Sequence, residues 1–569
     1  MTEIKEKEYI RFTENDQIDR LLNQVVSYVK EFTEGQVKQI RKLTEIGVAL
    51  SAEKNLSKLL EMIVDEARAL VHADGGTLYI MNKEESDLNF AIVQNASLNV
   101  RMGGTSGDIT WYPVKLKNPD ESPNYANVSA YAALTGEVIN IPDVYTVEGF
   151  NFEGTRKFDS KTGYCSTSML VVPMRDHENT IIGVLQLINA KDILTGEVIP
   201  FSFETQKMTE SLASQAAVAI TNNRLIRDLE NLFEAFIRTI ATAIDEKSHY
   251  TAGHIGRVSD LVMIIAERIN EASEGHYAGF CFNKDQMREL HIAAWLHDVG
   301  KVTTPEYVVD KATKLETIYD RINTLKTRFE ILKRDAEIEL LRSLDGGGGG
   351  VDKEVAYNEY NRKISELDSA FNFLKTANIG TEFMADDKIE MLKSIAGMEL
   401  TADGRSETLV SEEEVANLSI RQGTLNEEER KIISNHAAVT YKILCQLPFP
   451  KALQNVPDYA SAHHERLDGS GYPFGLKGEM LPLQARIIAL TDIFEALTAK
   501  DRPYKKGKTL SEAMKILRFM AKDNHIDPDL FDFFVKERIY MDYAQKELDP
   551  EQIDEDKLAE LGFMDGKNT

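Results

Sequence analysis

The chain is poor in cysteine and has no long apolar run. Its 569 residues include three cysteines, Cys165, Cys281 and Cys445, and no CxxC pair. This composition excludes a disulfide framework and favours a reducing cytoplasm. No window approaches the ~18 consecutive apolar residues of a transmembrane helix, and the charged N-terminus lacks the apolar segment of a signal peptide. We therefore expect a cytoplasmic protein that does not span a membrane.

Positive charge is also in short supply. The chain has 66 lysine and arginine residues against 92 aspartate and glutamate residues, which gives a formal net charge of −26. A field of this sign repels polyanions, so we expect neither a nucleic-acid polymer nor an anionic membrane as partner. A small phosphate ligand stays compatible with this charge, because local basic residues or metals can outweigh a distant field. The length exceeds what one core supports and predicts two or three domains.

The N-terminal part of the sequence has a mixed α/β pattern. Residues 1–35 predict a charged helix with an apolar stripe, suited to packing on a partner or on a second copy. In residues 36–225 a helical stretch is followed by strand-like segments. The apolar runs SMLVVPMR and TIIGVLQLIN are separated by polar residues from Asp176 to Asn179, a pattern typical of a β-hairpin. A long helix from Phe203 onward closes the region.

This region resembles a GAF domain, a small-molecule sensor module, in the segments GTRKFDSKTGYCSTSMLVVPM and IIGVLQLINA. The resemblance implies an α/β fold with an antiparallel sheet and flanking helices. The run from Arg156 to Asp159 is similar to the asparagine-lysine-phenylalanine-aspartate-glutamate signature of cyclic-nucleotide-binding GAF domains, but Arg156 replaces the asparagine and no final acid is evident. The alternatives are a cyclic nucleotide as ligand, another small molecule, or a GAF fold used only for dimerisation.

Residues 208–245 continue the closing helix as a predicted linker. Val218, Leu225 and Leu232 are spaced by seven, and Leu229 and Phe236 follow at offsets of four, with polar Asn222 on the same seam. This heptad pattern favours a parallel coiled coil between two copies and hence a homodimer. A helix that packs on its own domain explains so short a repeat equally well.

Histidine is the informative residue of the C-terminal part. The segment HHERLDGSGYP, His463–Pro473, joins two adjacent histidines to a glycine-rich turn that lets the backbone approach a ligand. This combination suits a metal site with an open side for substrate. The segments YTAGHIGRV, LHDVGKV, ISNHAAV and LTDIFEALT supply further histidines and acids on or beside predicted helices. Together the candidate metal ligands are His254, His297, Asp298, His436, His463, His464 and Asp492.

Imidazole and carboxylate ligands without thiolate suit iron or manganese. The candidate set is larger than one ion needs, so we expect two divalent cations, with Asp298 able to bridge them. Such a pair polarises a phosphoryl group and holds a hydroxide nucleophile. Lys301 lies one helical turn beyond His297 and is expected to steady phosphate oxygens or to protonate the leaving oxygen.

The motifs GHIGRV, LHDVGK, HHERLDGSGYP, TDIFEALT and DRPYK, in this order, resemble the HD-GYP family, a metal-dependent branch of the HD phosphohydrolases. The resemblance implies an all-helical domain over residues 246–548 that hydrolyses cyclic di-GMP to pGpG, and in some members to GMP. It implies that the residues collected above are the metal ligands and that Lys301 assists at the scissile phosphate. It also implies that Lys301, Tyr472, Arg502 and Lys505 contact the substrate.

Two features depart from the family pattern. Members with a third metal have a glutamate shortly before the first histidine, where this chain has His249 and Tyr250, so we expect two metals. Residues 312–410 are an insertion that predicts two amphipathic helices around the run Gly346–Gly350, forming a helical arm.

Residues 549–569 predict an acidic tail. Two other functions stay open: a non-catalytic cyclic-dinucleotide receptor, and a phosphodiesterase for another cyclic dinucleotide.

Overall fold

The computed structural model describes residues 11–13, 15–247, 253–345, 352–402, 405–499 and 507–563. The chain divides into two compact units, Met1–Asn231 and Leu232–Thr569. Within the described residues, no helix has both the length and the apolar character needed to cross a bilayer.

The first unit is an antiparallel sheet with flanking helices, which confirms the predicted fold class. Its helices are α1 (Asp16–Ala52), α2 (Leu56–Val71), α3 (Val128–Thr135), α4 (Glu153–Thr162) and α5 (Phe203–Asp245), the last of which continues into the second unit. Its strands are β1 (Ala73–Met81), β2 (Asp87–Asn95), β3 (Val100–Gly103), β4 (Val114–Lys115), β5 (Ile139–Ile141), β6 (Met169–Arg175), β7 (Ile181–Lys191) and β8 (Val198–Ile199). The strand order is β3-β2-β1-β7-β6-β5, with β4 beside β2 and β8 beside β7.

The hairpin expected from the two apolar runs is formed by β6 and β7. Leu170 and Val172 of β6 lie in the core that α1, α2 and α5 cover, whereas Met169 and Val171 lie in the core that α3 covers. Successive side chains of a strand point to opposite faces, so a strand covered on both faces is apolar at every position. This is why the strand sequence shows no apolar–polar alternation.

Helix α5 has two apolar faces. Leu212, Ala216 and Ile220 are buried against the sheet of the first unit. The heptad positions lie outside that core: Leu229 is 65% exposed and Leu232 is 66% exposed. Packing on its own domain therefore explains one face of the helix, and the predicted coiled-coil seam is a second, exposed face.

The second unit is mostly helical, as the sequence predicts. Its helices are α6 (His254–Glu271), α7 (Lys284–Leu296), α8 (Glu306–Val309), α9 (Ile322–Asp345), α10 (Lys353–Ile379), α11 (Asp386–Ala396), α12 (Glu412–Leu418), α13 (Glu427–Leu444), α14 (Val456–Ser461), α15 (Leu483–Thr498), α16 (Leu510–Lys522), α17 (Pro528–Lys536), α18 (Ile539–Glu547) and α19 (Glu555–Glu560). Its main core includes Leu261 of α6, Leu290 of α7, Phe494 of α15 and Leu517 of α16. Ile237 of α5 belongs to the same core.

The insertion, residues 312–410, supplies most of a separate apolar core, which includes Leu325 of α9 and Leu374 of α10. Helices α9 and α10 run antiparallel, as two ion pairs between them show. Lys333 lies 2.6 Å from Asp368, and Lys363 lies 2.9 Å from Glu339. Besides these two predicted helices, residues 312–410 contain α11 and a two-stranded sheet of β9 (Glu399–Ala402) and β10 (Arg405–Thr408). The run Gly346–Gly350 lies outside the described residues.

Candidate metal centre

The structure brings all the predicted metal ligands to one place in the second unit. They come from five parts of the helical fold: the start of α6, the end of α7, the middle of α13, the end of α14 and the middle of α15. Three overlapping groups, in which the ligand atoms lie within 4.8 Å of one another, are His436–His463–His464, His254–His297–Asp492 and His297–Asp298–His463. These groups of histidine and aspartate could hold metal ions.

Asp298 lies between two sets of histidines. Its Oδ1 atom is 3.4 Å from Nε2 of His436 and 3.9 Å from Nε2 of His463. Its Oδ2 atom is 3.3 Å from Nε2 of His297 and 3.7 Å from Nε2 of His254. Each carboxylate oxygen therefore faces a different pair of imidazoles, which is the arrangement that a bridging carboxylate requires.

Three imidazoles are oriented by backbone carbonyl groups. Nδ1 of His297 donates to the carbonyl of Ala294 at 2.7 Å, and Nδ1 of His463 donates to that of Ala460 at 2.7 Å. His436 makes the same bond to Ile433 at 2.5 Å. A carbonyl only accepts, so Nδ1 carries the proton and Nε2 offers a lone pair to the centre.

The Nε2 atoms of His297, His436 and His463 are buried, and none has a hydrogen-bond partner among the described residues. The nearest oxygens of Asp298 lie 3.3 Å, 3.4 Å and 3.9 Å from these atoms, farther than the usual hydrogen-bond distance. Buried polar atoms are rarely left unpaired, because the desolvation cost is then not compensated. Three inward lone pairs beside a carboxylate fit divalent cations.

Burial sets the charge of most of these imidazoles. It lowers the pKa of His436 and His463, and it lowers the pKa of His464 to about 4. These side chains are therefore neutral near pH 7, the form that binds a cation. His254 and His297 differ, because nearby carboxylates outweigh burial. Glu495 and Asp492 raise the pKa of His254 to about 10, and Asp298 raises the pKa of His297.

Glu495 orients His254 and was missed in the sequence. Its carboxylate is buried, accepts from Nδ1 of His254 and also accepts from Nε of Arg257 at 2.7 Å. Nε2 of His254 then faces Asp492 at 3.2 Å. The signal for Glu495 was its place one helical turn beyond Asp492 on the same helix.

Glu465 organises the glycine-rich turn, a role that the sequence motif does not indicate. It is 2% exposed and accepts from the backbone N–H groups of Phe474 at 2.6 Å, Gly475 at 3.1 Å and Leu476 at 2.9 Å. The turn contains a cis peptide bond between Tyr472 and Pro473. Tyr472 lies beside the centre, with its ring centroid 4.8 Å from that of His464.

Lys301 and Gly300 lie in a 3-10 turn, Val299–Thr303, that follows Asp298. Nζ of Lys301 is 2.5 Å from Oδ2 of Asp298. A Cβ atom on Gly300 would lie 2.0 Å from the carbonyl oxygen of His436, so only glycine allows this turn to contact α13. The remaining residues of the prediction, Arg502, Lys505, His249 and Tyr250, lie outside the described residues.

Comparison with known families identifies both domains. Residues 55–220 match the GAF domain, and residues 412–530 match the HD domain. The chain therefore contains a GAF domain followed by an HD domain.

Curated relatives match part of the chain. A 3'3'-cGAMP-specific phosphodiesterase of Vibrio cholerae is 41% identical over 20% of this chain and 26% of its own length. A cyclic di-GMP phosphodiesterase of Pseudomonas aeruginosa is 40% identical over 20% of this chain and 27% of its own length. One of Thermotoga maritima is 35% identical over 23% of this chain and 35% of its own length. The similarity thus spans about a quarter to a third of these relatives, and it confirms the resemblance to HD-GYP phosphodiesterases.

Solved structures of GAF domains resemble part of the chain only weakly. The GAF domain of a phosphoenolpyruvate-protein phosphotransferase from Acinetobacter is 14% identical and covers 34% of this chain and 98% of its own, with a TM-score of 0.24. The assignment of the GAF domain rests on the family match and on the sheet described above.

We expect Glu495→Gln to change the pH dependence of Mn²⁺ binding. In the native protein a cation at His254 displaces a proton, so affinity should rise by about tenfold per pH unit up to pH 8.5. Loss of the Glu495 charge lowers the pKa of His254, so the affinity of the variant should level off within this range. Calorimetric titration with Mn²⁺ between pH 6 and 8.5 measures both profiles.

Glu512→Gln, at an exposed position on α16, is the matched control and should keep the native profile. Coincident profiles for the native protein and Glu495→Gln would show that Glu495 does not control the proton on His254.

We expect Glu465→Gln to loosen the glycine-rich turn. The change removes the charge that three backbone N–H groups share, and bonds to a charged acceptor are worth about 1.5–3 kcal/mol each. Hydrogen exchange at Phe474, Gly475 and Leu476 should become at least about tenfold faster. The exposed Glu479→Gln is the control, and equal exchange in both variants contradicts the role given to Glu465.

Proposed function

We propose that the HD domain is a metal-dependent phosphodiesterase that hydrolyses cyclic di-GMP to pGpG. The observation that carries this proposal is the position of Asp298, whose two carboxylate oxygens face two different sets of histidines. The names of the curated relatives supply the substrate class, since they include cyclic di-GMP and 3'3'-cGAMP phosphodiesterases.

In this proposal two divalent cations, iron or manganese, occupy the centre. His436, His463 and His464 would hold one cation, and His254, His297 and Asp492 would hold the other, with Asp298 shared between them. The imidazole and carboxylate donors favour these metals over a closed zinc site. When bound, such a pair supplies Lewis-acid polarisation of a phosphoryl group and activation of water. The proposal includes no third cation.

The protein's own groups bind and orient the substrate. The Lys301 ammonium, 2.5 Å from Asp298, puts a positive charge where a phosphate bound at the centre would lie, and it can donate a proton to the leaving oxygen. Tyr472, next to His464, is proposed as a wall of the nucleotide pocket. Arg502 and Lys505 are proposed to contact the substrate from the family resemblance alone. Further hydrolysis of pGpG to GMP is possible chemistry for the same site.

The substrate can also be another cyclic dinucleotide. The most identical of the relatives named above is 3'3'-cGAMP-specific, although it matches only 116 residues. A competition panel of cyclic di-GMP, 3'3'-cGAMP and cyclic di-AMP decides between them. A non-catalytic receptor is less well supported, because binding alone does not require three buried imidazoles with unpaired Nε2 atoms.

We expect purified protein loaded with Mn²⁺ or Fe²⁺ without oxygen to convert cyclic di-GMP to pGpG. Removing one ligand in His297→Ala should lower kcat by at least about 100-fold, because it removes electrostatic stabilisation of the transition state. Asp298→Asn should have a similar effect. Chromatographic product analysis and metal content measure the outcome.

His276→Ala changes an exposed histidine of the same unit and should keep native activity. The contrary result is a metal-loaded native protein that binds one dinucleotide of the panel tightly and hydrolyses none of them. That result would contradict the proposed hydrolysis and support the non-catalytic receptor.

We further propose that the protein is a cytoplasmic homodimer whose GAF domain binds a regulatory small molecule. The three cysteines are unpaired and exposed, which supports a reducing compartment. For the GAF ligand, a cyclic nucleotide stays one candidate. In the signature-like segment the Asp159 carboxylate accepts from Tyr145 at 2.6 Å and from Ser166 at 2.9 Å, so this acid is engaged inside the domain.

Dimerisation is proposed to use the exposed heptad positions of α5. We expect the double change Leu225→Glu and Leu229→Glu to produce monomers in sedimentation velocity, because it places like charges on an apolar seam. Asn231→Glu adds the same charge at an exposed position between the heptad leucines and should leave the dimer intact. A native protein that sediments as a monomer at micromolar concentration contradicts this part of the proposal.

A further inference from the structure

The residues just beyond α5 contact the turn that carries Lys301. Nζ of Lys247 donates to the carbonyl oxygen of Lys301 at 3.2 Å, to that of Val302 at 2.6 Å and to that of Thr304 at 2.8 Å. An ammonium group has three N–H donors, so these carbonyl groups use its full capacity. The contact is a charge-assisted cap on one end of the 3-10 turn.

The turn needs such support because it is short. A 3-10 helix of five residues has poor hydrogen-bond geometry and little stability of its own. Its other end is held by Thr440 of α13, whose hydroxyl accepts from N–H of Gly300 at 3.0 Å and donates to the carbonyl of His297 at 3.1 Å. Thr440 thus fixes the side nearer the proposed metal ligands, and Lys247 fixes the side beyond Lys301.

Lys247 is attached to a well-packed helix end. Ile237 of α5 is buried in the core of the second unit, and Ala241 of the same helix is also buried. Asp245, the last residue of α5, accepts from the N–H of Ile255 at 3.2 Å, next to His254. The end of α5 therefore contacts the backbone of two segments that carry residues of the centre.

From these contacts we propose that Lys247 is a positioning residue that sets the Lys301 turn, so that a displacement of the end of α5 changes the placement of the Lys301 ammonium. The inference rests on the proposed function for its effect on hydrolysis, and on the contacts alone for its effect on the turn. Lys247 does not touch the substrate in this proposal and acts through the backbone of residues 301–304.

The test compares full-length Lys247→Met, Lys247→Arg and Glu246→Gln, the last being an exposed neighbour that serves as control. In Lys247→Met, exchange of the turn amides of Lys301 and Thr304, which donate to Asp298 and Lys301, should become at least about tenfold faster. Exchange within α6 should stay native, which separates a local effect from unfolding. Lys247→Arg retains charge and donors and should restore most of the protection.

Activity gives a second, separate result. Lys247→Met should lower kcat by about tenfold and leave KM and Mn²⁺ affinity within about threefold of native values, because the ligands on the Thr440 side keep their support. Native exchange at the turn in Lys247→Met overturns the inference, as does a loss of Mn²⁺ affinity equal to the loss of kcat. Faster turn exchange in a protein that hydrolyses no cyclic dinucleotide sustains the positioning role and overturns the proposed function instead.

Discussion

The second unit is built around one buried carboxylate. Asp298 is 3% exposed, and an isolated charge at such a depth costs several kcal/mol. The Lys301 ammonium and His297 outweigh burial and hold the pKa of Asp298 well below its ordinary value. The carboxylate is thus ionised in the interior, and the surrounding imidazoles are neutral or paired with acids. An ionised carboxylate beside neutral imidazoles is a donor set suited to cations.

Helix geometry supplies the precision of the centre. His297 directly follows the end of α7, and His463 lies two residues beyond the end of α14. The last carbonyl groups of a helix have no hydrogen-bond partner within it. Each imidazole donates to one of these carbonyls, so a helix end both places the histidine and fixes its tautomer. Because the ligands come from separate helices, the centre exists only when the helical core is packed.

The sequence predicts the parts that local motifs encode. The candidate ligand histidines stand in short segments whose residue types already indicate a metal site, and the β6–β7 hairpin follows from two apolar runs around a polar turn. The partners of Glu495 and Lys247 could not be found in this way, because they lie 241 and 54 to 57 residues away along the chain. Glu465 stands within the motif, but its three backbone partners depend on how the turn folds back. For α5, periodicity alone could not separate the face packed on the sheet from the exposed seam.

The insertion leaves the centre intact because it closes on itself. At its base, Lys311 and Glu429 form a buried ion pair at 2.7 Å, and the Thr424 hydroxyl donates to the carbonyl of Lys311 at 3.1 Å. The chain that leaves after the Lys301 turn therefore returns to the start of α13 at the same place. The intervening helices pack on their own apolar cluster. Gly300 contacts the His436 carbonyl although more than a hundred residues separate them along the chain. The closed base, rather than the length of the insertion, allows these two segments to stay adjacent.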